Sequence, residues 1–208
     1  MKTVTLAAAL SGLLGLSAVA APVPTTFSAS GTFEADDDVA LIEFDVLDVP
    51  AYVTARTYSY AGGTLSDGTE VPAGGFDPIL SLFEAASGAL VAVNNDGDGV
   101  AVDPETGGAF DALWERNVPV GPGSYVLAVT QYDNFNVTGS LADGFDEEGD
   151  PNFTSIFDCE AGQFCDFTGA DRTGEYGLDV TVAPVPVPAA AWLLLAAVGG
   201  LGLLRRRL

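Results

Sequence analysis

Between residues 21 and 183 the chain offers no convincing amphipathic helix. It repeats short runs in which every second residue is apolar, each cut off by a cluster of Gly, Pro, Asn or Asp. In VALIEFDVL, Ala40, Ile42, Phe44 and Val46 alternate with Leu41, Glu43, Asp45 and Leu47, as a strand with one buried face requires. AYVTARTYSY continues with aromatic and β-branched residues and stops at Ala61-Gly62-Gly63. FDPILSLFEAASGALVAVNN holds two apolar runs around Ser87-Gly88, the signature of a hairpin. GPGSYVLAVTQYDN opens with a turn and predicts a strand from Tyr125 to Gln131, and EYGLDVTV alternates Tyr176, Leu178, Val180 and Val182. Only FDALWER, residues 110–116, suggests a short helical turn. These signals predict an all-β chain folded as an antiparallel β-sandwich or jelly roll, with residues 143–172 as a long loop. No internal repeat is present, and about 165 residues suit one domain.

That domain is bracketed by two segments of a different character. Residues 1–20 have a positive start at Lys2, an apolar run over 4–16 and a small-residue site at Ala18-Val19-Ala20, the three-part pattern of a secretory signal peptide. Cleavage is expected between Ala20 and Ala21, because one residue later Pro22 would directly follow the cut, with no N–H and a fixed φ. An uncleaved membrane helix is the alternative, though the run is short for a span of about 20 residues.

Residues 184–208 have their own order. Pro184, Pro186 and Pro188 keep the segment extended, since each fixes φ and disfavours helix in the residue before it. A helix can start only near Ala189. From there to Leu204 the run would be about 24 Å long, slightly short of a bilayer core of about 30 Å, and it spans if Trp192 and the arginines sit at the interfaces. Arg205, Arg206 and Arg207 would hold the C-terminus on the cytoplasmic side and leave the domain outside. A soluble core helix would not be apolar on every face and end in three arginines, and the same cluster argues against a GPI signal. The motif Val185-Pro186-Val187-Pro188-Ala189, then an apolar segment, then the arginine cluster, resembles the VPxPA variant of the PEP-CTERM sorting signal. The resemblance covers about the last 24 residues. It implies a Gram-negative bacterium, export past signal peptidase, and recognition by an exosortase, a membrane cysteine transpeptidase that releases or transfers its substrate at the cell surface.

The chain contains no histidine, and its only lysine is Lys2. All 29 acidic residues lie between Glu34 and Asp179, against Arg56, Arg116 and Arg172, a net charge of −26 for that region. DNA, RNA and anionic membrane surfaces would be repelled. Such charge suits solubility, a salty medium or cation binding. Cys159 and Cys165, in DCEAGQFC, are most simply a disulfide in an exported protein, with unpaired thiols as the alternative. Two cysteines without histidine are too few for structural zinc.

FDPILSLFEAASGALVAVNNDGDG followed by VGPGSYVLAVTQYDN is also similar to bacterial pre-peptidase C-terminal (PPC-like) domains. The match covers about half the domain. It implies a secreted, calcium-stabilised β-sandwich that serves as an accessory or binding module and not as a catalyst.

The acidic loops give calcium its candidates. Asn94-Asn95-Asp96-Gly97-Asp98-Gly99, with Glu105 downstream, fits the calcium-loop pattern D-x-[DN]-x-[DN]-G-x5-E with Asn94 in place of the first Asp. Asp96, Asp98 and Glu105 would supply charge, Asn94 a neutral oxygen and Val100 a backbone carbonyl, since Ca²⁺ takes six to eight oxygens. The preceding LVAV reads as a strand where an EF-hand needs a helix, Pro104 sits just before the glutamate, and an ordinary Asn/Gly turn is the competing reading. A second candidate is Glu34-Ala35-Asp36-Asp37-Asp38, whose acidic position before the first strand the PPC-like resemblance associates with calcium ligands. Asp77 and Asp133 flank strands and could join either cluster.

Catalytic readings find less support. Without histidine, Ser-His-Asp and Cys-His arrangements are unattainable, and neither a G-x-S-x-G elbow nor a phosphate-cradling G-x-x-x-x-G-K-[ST] occurs. The expectation is a non-catalytic, exosortase-sorted surface or matrix protein associated with exopolysaccharide or biofilm. The alternatives are a secreted carbohydrate-active hydrolase using paired carboxylates, and a permanent type I membrane protein.

Overall fold

Eight strands carry the fold: β1 (Thr25–Thr32), β2 (Ala40–Val46), β3 (Ala51–Thr57), β6 (Pro78–Glu84), β7 (Leu90–Asn94), β8 (Val118–Val120), β9 (Gly123–Gln131) and β10 (Glu175–Pro184). Two short strands, β4 (Gly63–Thr64) and β5 (Glu70–Val71), form a separate hairpin. The computed structural model describes residues 23–47, 49–114 and 118–185. The expected signal junction at Ala20 and Ala21, the motif residues Pro186, Val187, Pro188 and Ala189, and the tail through Arg205, Arg206 and Arg207 lie outside the described residues.

One sheet has the order β1-β10-β3-β8 and the other β2-β9-β6-β7, with antiparallel pairing throughout. The chain passes between sheets in the sequence of a jelly roll, which resolves the two architectures expected from the strand pattern. The alternation does the work of closing it. Val53 and Ala55 on β3 and Leu178 and Val180 on β10 face Leu80 and Leu82 on β6 and Leu127 and Val129 on β9, all fully buried. Ile42 and Phe44 of β2 pack against this core from the edge.

β6 is buried on both faces, because Phe145 from the long loop covers the outside of its sheet and meets Phe83 edge-on. On the other sheet, Leu65 and Val71 lie over Gly177, where a Cβ would come within 2.4 Å of Val71. The Ser87-Gly88 hairpin forms as expected, with Gly88 at φ 70° and its N–H bonded to the Glu84 carbonyl.

Residues 110–114 correct the one expected helical turn. Leu113 bridges to Arg56, and the Trp114 N–H bonds to the Ala55 carbonyl, so the segment runs along β3 toward β8 as edge structure. A free sheet edge offers its backbone groups partners that a single helical turn cannot match. Cys159 and Cys165 form the disulfide inside the long loop. β1, β8 and the β4–β5 hairpin carried no sequence expectation.

Strand direction gives the molecule two poles. Thr25 pairs with Val182, and the Val185 N–H bonds the Pro50 carbonyl, so the described chain enters and leaves at one pole. That near pole has only short connections, 47–50, 85–89 and 121–122. The far pole, about 30 Å away along β10, carries connections 33–39, 58–77, 95–117 and 132–174.

Candidate functional site

The candidate site lies at the far pole, where the end of β7 runs into the acidic loop. Asn94 is fixed there from both sides. Its Nδ2 donates to the Asp96 carbonyl at 2.7 Å, and its Oδ1 accepts from the Leu113 N–H at 2.9 Å. Gly97 lies so close to Leu113 that a Cβ would meet it at 2.3 Å, which explains glycine at that step. The loop is thus pinned against residues 109–114, and an open groove of about 700 Å³ lies between them. Its lining combines Asn94, Asp96 and Asp98 with the rings of Phe110 and the largely buried Trp114. Behind it, a cavity of about 210 Å³ is lined by Asp77, Asn95, Asp96, Phe110, Tyr132 and Phe167.

The structure therefore brings Asn94, Asp96 and Asp98 together, and adds Asp77. It does not bring Val100 or Glu105 to the groove. Val100 is buried and Glu105 exposed, with the Glu105 N–H bonded to Asp103 Oδ1 in a local turn. Asn94 uses its side-chain oxygen on Leu113. Among the described residues, no three acidic or cysteine side chains converge as a metal-holding group.

The second acidic segment is mostly engaged with backbone. Asp36 is fully buried, and its carboxylate accepts from the Phe164 N–H at 2.6 Å, the Thr154 N–H at 3.0 Å and the Thr154 hydroxyl. Burial nevertheless raises its pKa above the ordinary value, against the pull of those bonds. Asp37 accepts from the Gly149 N–H, and Asp38 from the N–H groups of Glu34 and Ala35. Glu34 itself is exposed. This segment clamps the long loop to the sandwich.

Under the groove lies a polar hub that sequence reasoning missed. Arg172, 5% exposed, donates from Nη1 to Asp103 at 3.3 Å, from Nη2 to the Tyr60 carbonyl and from Nε to the Gly75 carbonyl. Its guanidinium also covers the Tyr60 ring at 3.9 Å. The Tyr60 hydroxyl donates to Asp166, and Asp111 accepts from Thr57 and from the N–H groups of Tyr60 and Ala61. Burial and the Asp166 contact raise the Tyr60 pKa. Burial would also raise Asp103, but Thr106 and Arg172 outweigh it and hold the carboxyl below its ordinary value.

Two signals for this hub were present. Asp103-Pro104-Glu105-Thr106 is an Asx-turn sequence, and Arg172 is one of three cations in an acidic domain.

Asp77 differs from its neighbours. It is 8% exposed, yet its Oδ1 has no hydrogen-bond partner. Burial pushes its carboxyl well above the usual range, and Asp96, Asp166 and Asp111 push further, with Arg172 offsetting part. Asp96 is raised by burial too.

Compared with known proteins, the chain matches no family model, no curated protein and no solved structure.

Proposed function

We propose that the chain is a non-catalytic, exported protein of the cell surface or extracellular matrix of a Gram-negative bacterium, sorted by an exosortase through its PEP-CTERM-like tail. Its domain is a calcium-stabilised jelly roll of the PPC-like kind that binds neutral glycan in exopolysaccharide. The observation that carries the reading is the far-pole groove, whose lining combines the Phe110 ring with the carboxylates of Asp96 and Asp98.

Sugars present both an apolar C–H face and hydroxyl donors, so such a lining suits them. The groove also lies at the pole opposite the one where the described chain ends. The acidic domain would repel polyanionic glycans, so neutral ones are the better ligand.

Electrophoresis of the mature protein through gels containing a neutral glucan or alginate tests this. Retardation is expected in the glucan alone, and Phe110→Ala should abolish it while the protein remains folded by circular dichroism, with a lower melting temperature because the ring packs on Tyr60 and Phe167. Wild-type mobility unaffected by any neutral polysaccharide would remove the glycan reading.

The hydrolase alternative has one observation in its favour: Asp77 and Asp96, both with raised pKa values, share a cavity. Reducing-sugar release by the wild type that disappears in Asp77→Asn would replace binding with turnover.

A further inference from the structure

We infer that the cavity between the start of β6 and the end of β7 is a calcium site formed by Asp77, Asn95 and Asp96. This deepens the calcium reading above by moving it from the Asn94–Glu105 pattern to a ligand set that shares only Asp96 with it.

Two buried acceptor oxygens define the place. Asp77 Oδ1 and Asn95 Oδ1 are each shielded from solvent without any hydrogen-bond donor, and both residues line the same cavity. A buried acceptor left unpaired is destabilising by about 1–3 kcal/mol, more when it carries charge. Two backbone donors nearby are committed elsewhere: Tyr132 N–H bonds the Asp77 carbonyl, and Leu113 N–H bonds Asn94. Arg172, a buried cation of this pole, is directed at Asp103, Tyr60 and Gly75. Asp36, Asp103, Asp111 and Asp166 each receive donors on at least one carboxylate oxygen, and although Asp103 Oδ2 is also buried without a partner, Asp103 has Thr106 and Arg172 on its other oxygen.

One residue from Asp77 across the β6–β9 pairing, where Pro78 is opposite Gln131, Gln131 Oε1 is buried and unpartnered as well. A cation satisfies several acceptors at once, which no single donor group can do.

The donor chemistry selects the ion. Every candidate ligand atom is oxygen, the chain has no histidine, and both cysteines are consumed in the disulfide. Zinc and copper prefer nitrogen or sulfur ligands, whereas mixed carboxylate and amide oxygens suit a hard cation. A cavity of about 210 Å³ leaves room for water to complete an irregular shell. Ca²⁺ tolerates that irregularity, and Mg²⁺ demands a near-ideal octahedron.

Calorimetric titration of the chelator-treated mature protein with calcium chloride, paired with thermal melts in calcium and in chelator, tests the site. Wild type should bind the ion and melt higher in calcium. Asp77→Asn should lose both effects, Asn95→Ala should bind more weakly, and Asp98→Asn/Glu105→Gln should bind as wild type.

The inference is overturned by wild type that takes up no calcium, or by Asp77→Asn that binds unchanged. Loss of binding in the Asp98/Glu105 variant alone would return the ion to the sequence-pattern loop and refute the new ligand set. Should Asp77→Asn fail to fold by circular dichroism, Asn95→Ala decides, and unchanged affinity there refutes the site. The glycan gels fail or succeed separately.

Discussion

The near and far poles of the sandwich are joined to the same eight strands but are stabilised by different means. At the near pole, connections of two to five residues turn the chain directly from one strand to the next, with no buried carboxylate among their described residues. At the far pole, connections of 7 to 43 residues have backbone groups that no strand can pair. Those groups find side chains: Asp36, Asp103, Asp111 and Asp166 accept from N–H groups or hydroxyls of neighbouring loops. The long loops thus fold around buried acids as well as around the stacked rings of Phe33, Phe76 and Phe164. Asp77 departs from this pattern, its Oδ1 buried without a donor, and the departure marks the proposed calcium site.

The contrast breaks most directly at Arg172. Its guanidinium and Asp103 are each 1% exposed at the side chain, so Arg172→Met leaves a buried charge without compensation. Urea unfolding at neutral pH should show a loss of about 3–5 kcal/mol. The pH dependence has a definite sign. Asp103 titrates below its ordinary value of 3.8 in the folded chain, so its stabilisation is present above that value and is lost as pH falls through the depressed folded one. The difference between wild type and variant should therefore narrow below about pH 4. A loss below about 1 kcal/mol at pH 7 would mean that the hub does not hold the pole together.

Asp36→Ala comes next and separates clamping from metal binding. It strands the donors of Thr154 and Phe164, with an expected loss of about 2–3 kcal/mol. Calcium affinity should not change, because Asp36 does not line the Asp77 cavity. A fall in affinity with little loss of stability would instead make the 34–38 segment the ligand, as the sequence pattern had suggested.

The two poles also differ in how far they could be read in advance. β2 and β10 announce themselves by period-two alternation, and β3, β6, β7 and β9 by apolar or β-branched runs cut off by turn residues, both local properties of the chain, and their inner residues are the core. β1, with half-exposed residues on an edge, and the three-residue β8 carry too little alternation to be seen. At the far pole the loop from Asn94 to Asp98 was visible by composition, and its groove is real. Its partners were not, because the pairing of Arg172 with Asp103 spans 69 residues and is decided by topology. Asp77 was ranked low for the same reason: a lone acid before a strand does not reveal that it will be buried without a donor. The short spacing of Cys159 and Cys165 made their disulfide legible.

The smallest expected effect belongs to the near pole. Ser124 Oγ donates to Asp45 Oδ1 at 2.7 Å across the β2–β9 pair, in an exposed position where water replaces the bond once the hydroxyl is gone. Ser124→Ala should change the unfolding free energy by less than about 0.5 kcal/mol. It should also leave calcium titration and glucan mobility as in the wild type. A loss approaching that of Asp36→Ala would show that near-pole side chains, too, organise the fold beyond strand pairing. If instead only glucan mobility changed, coupling between the poles would have to pass along β9, which runs from Ser124 to Gln131 beside the Asp77 cavity. The stability measurement and the gel together therefore determine whether the strands act as a rigid support for the far pole or as a connection to it.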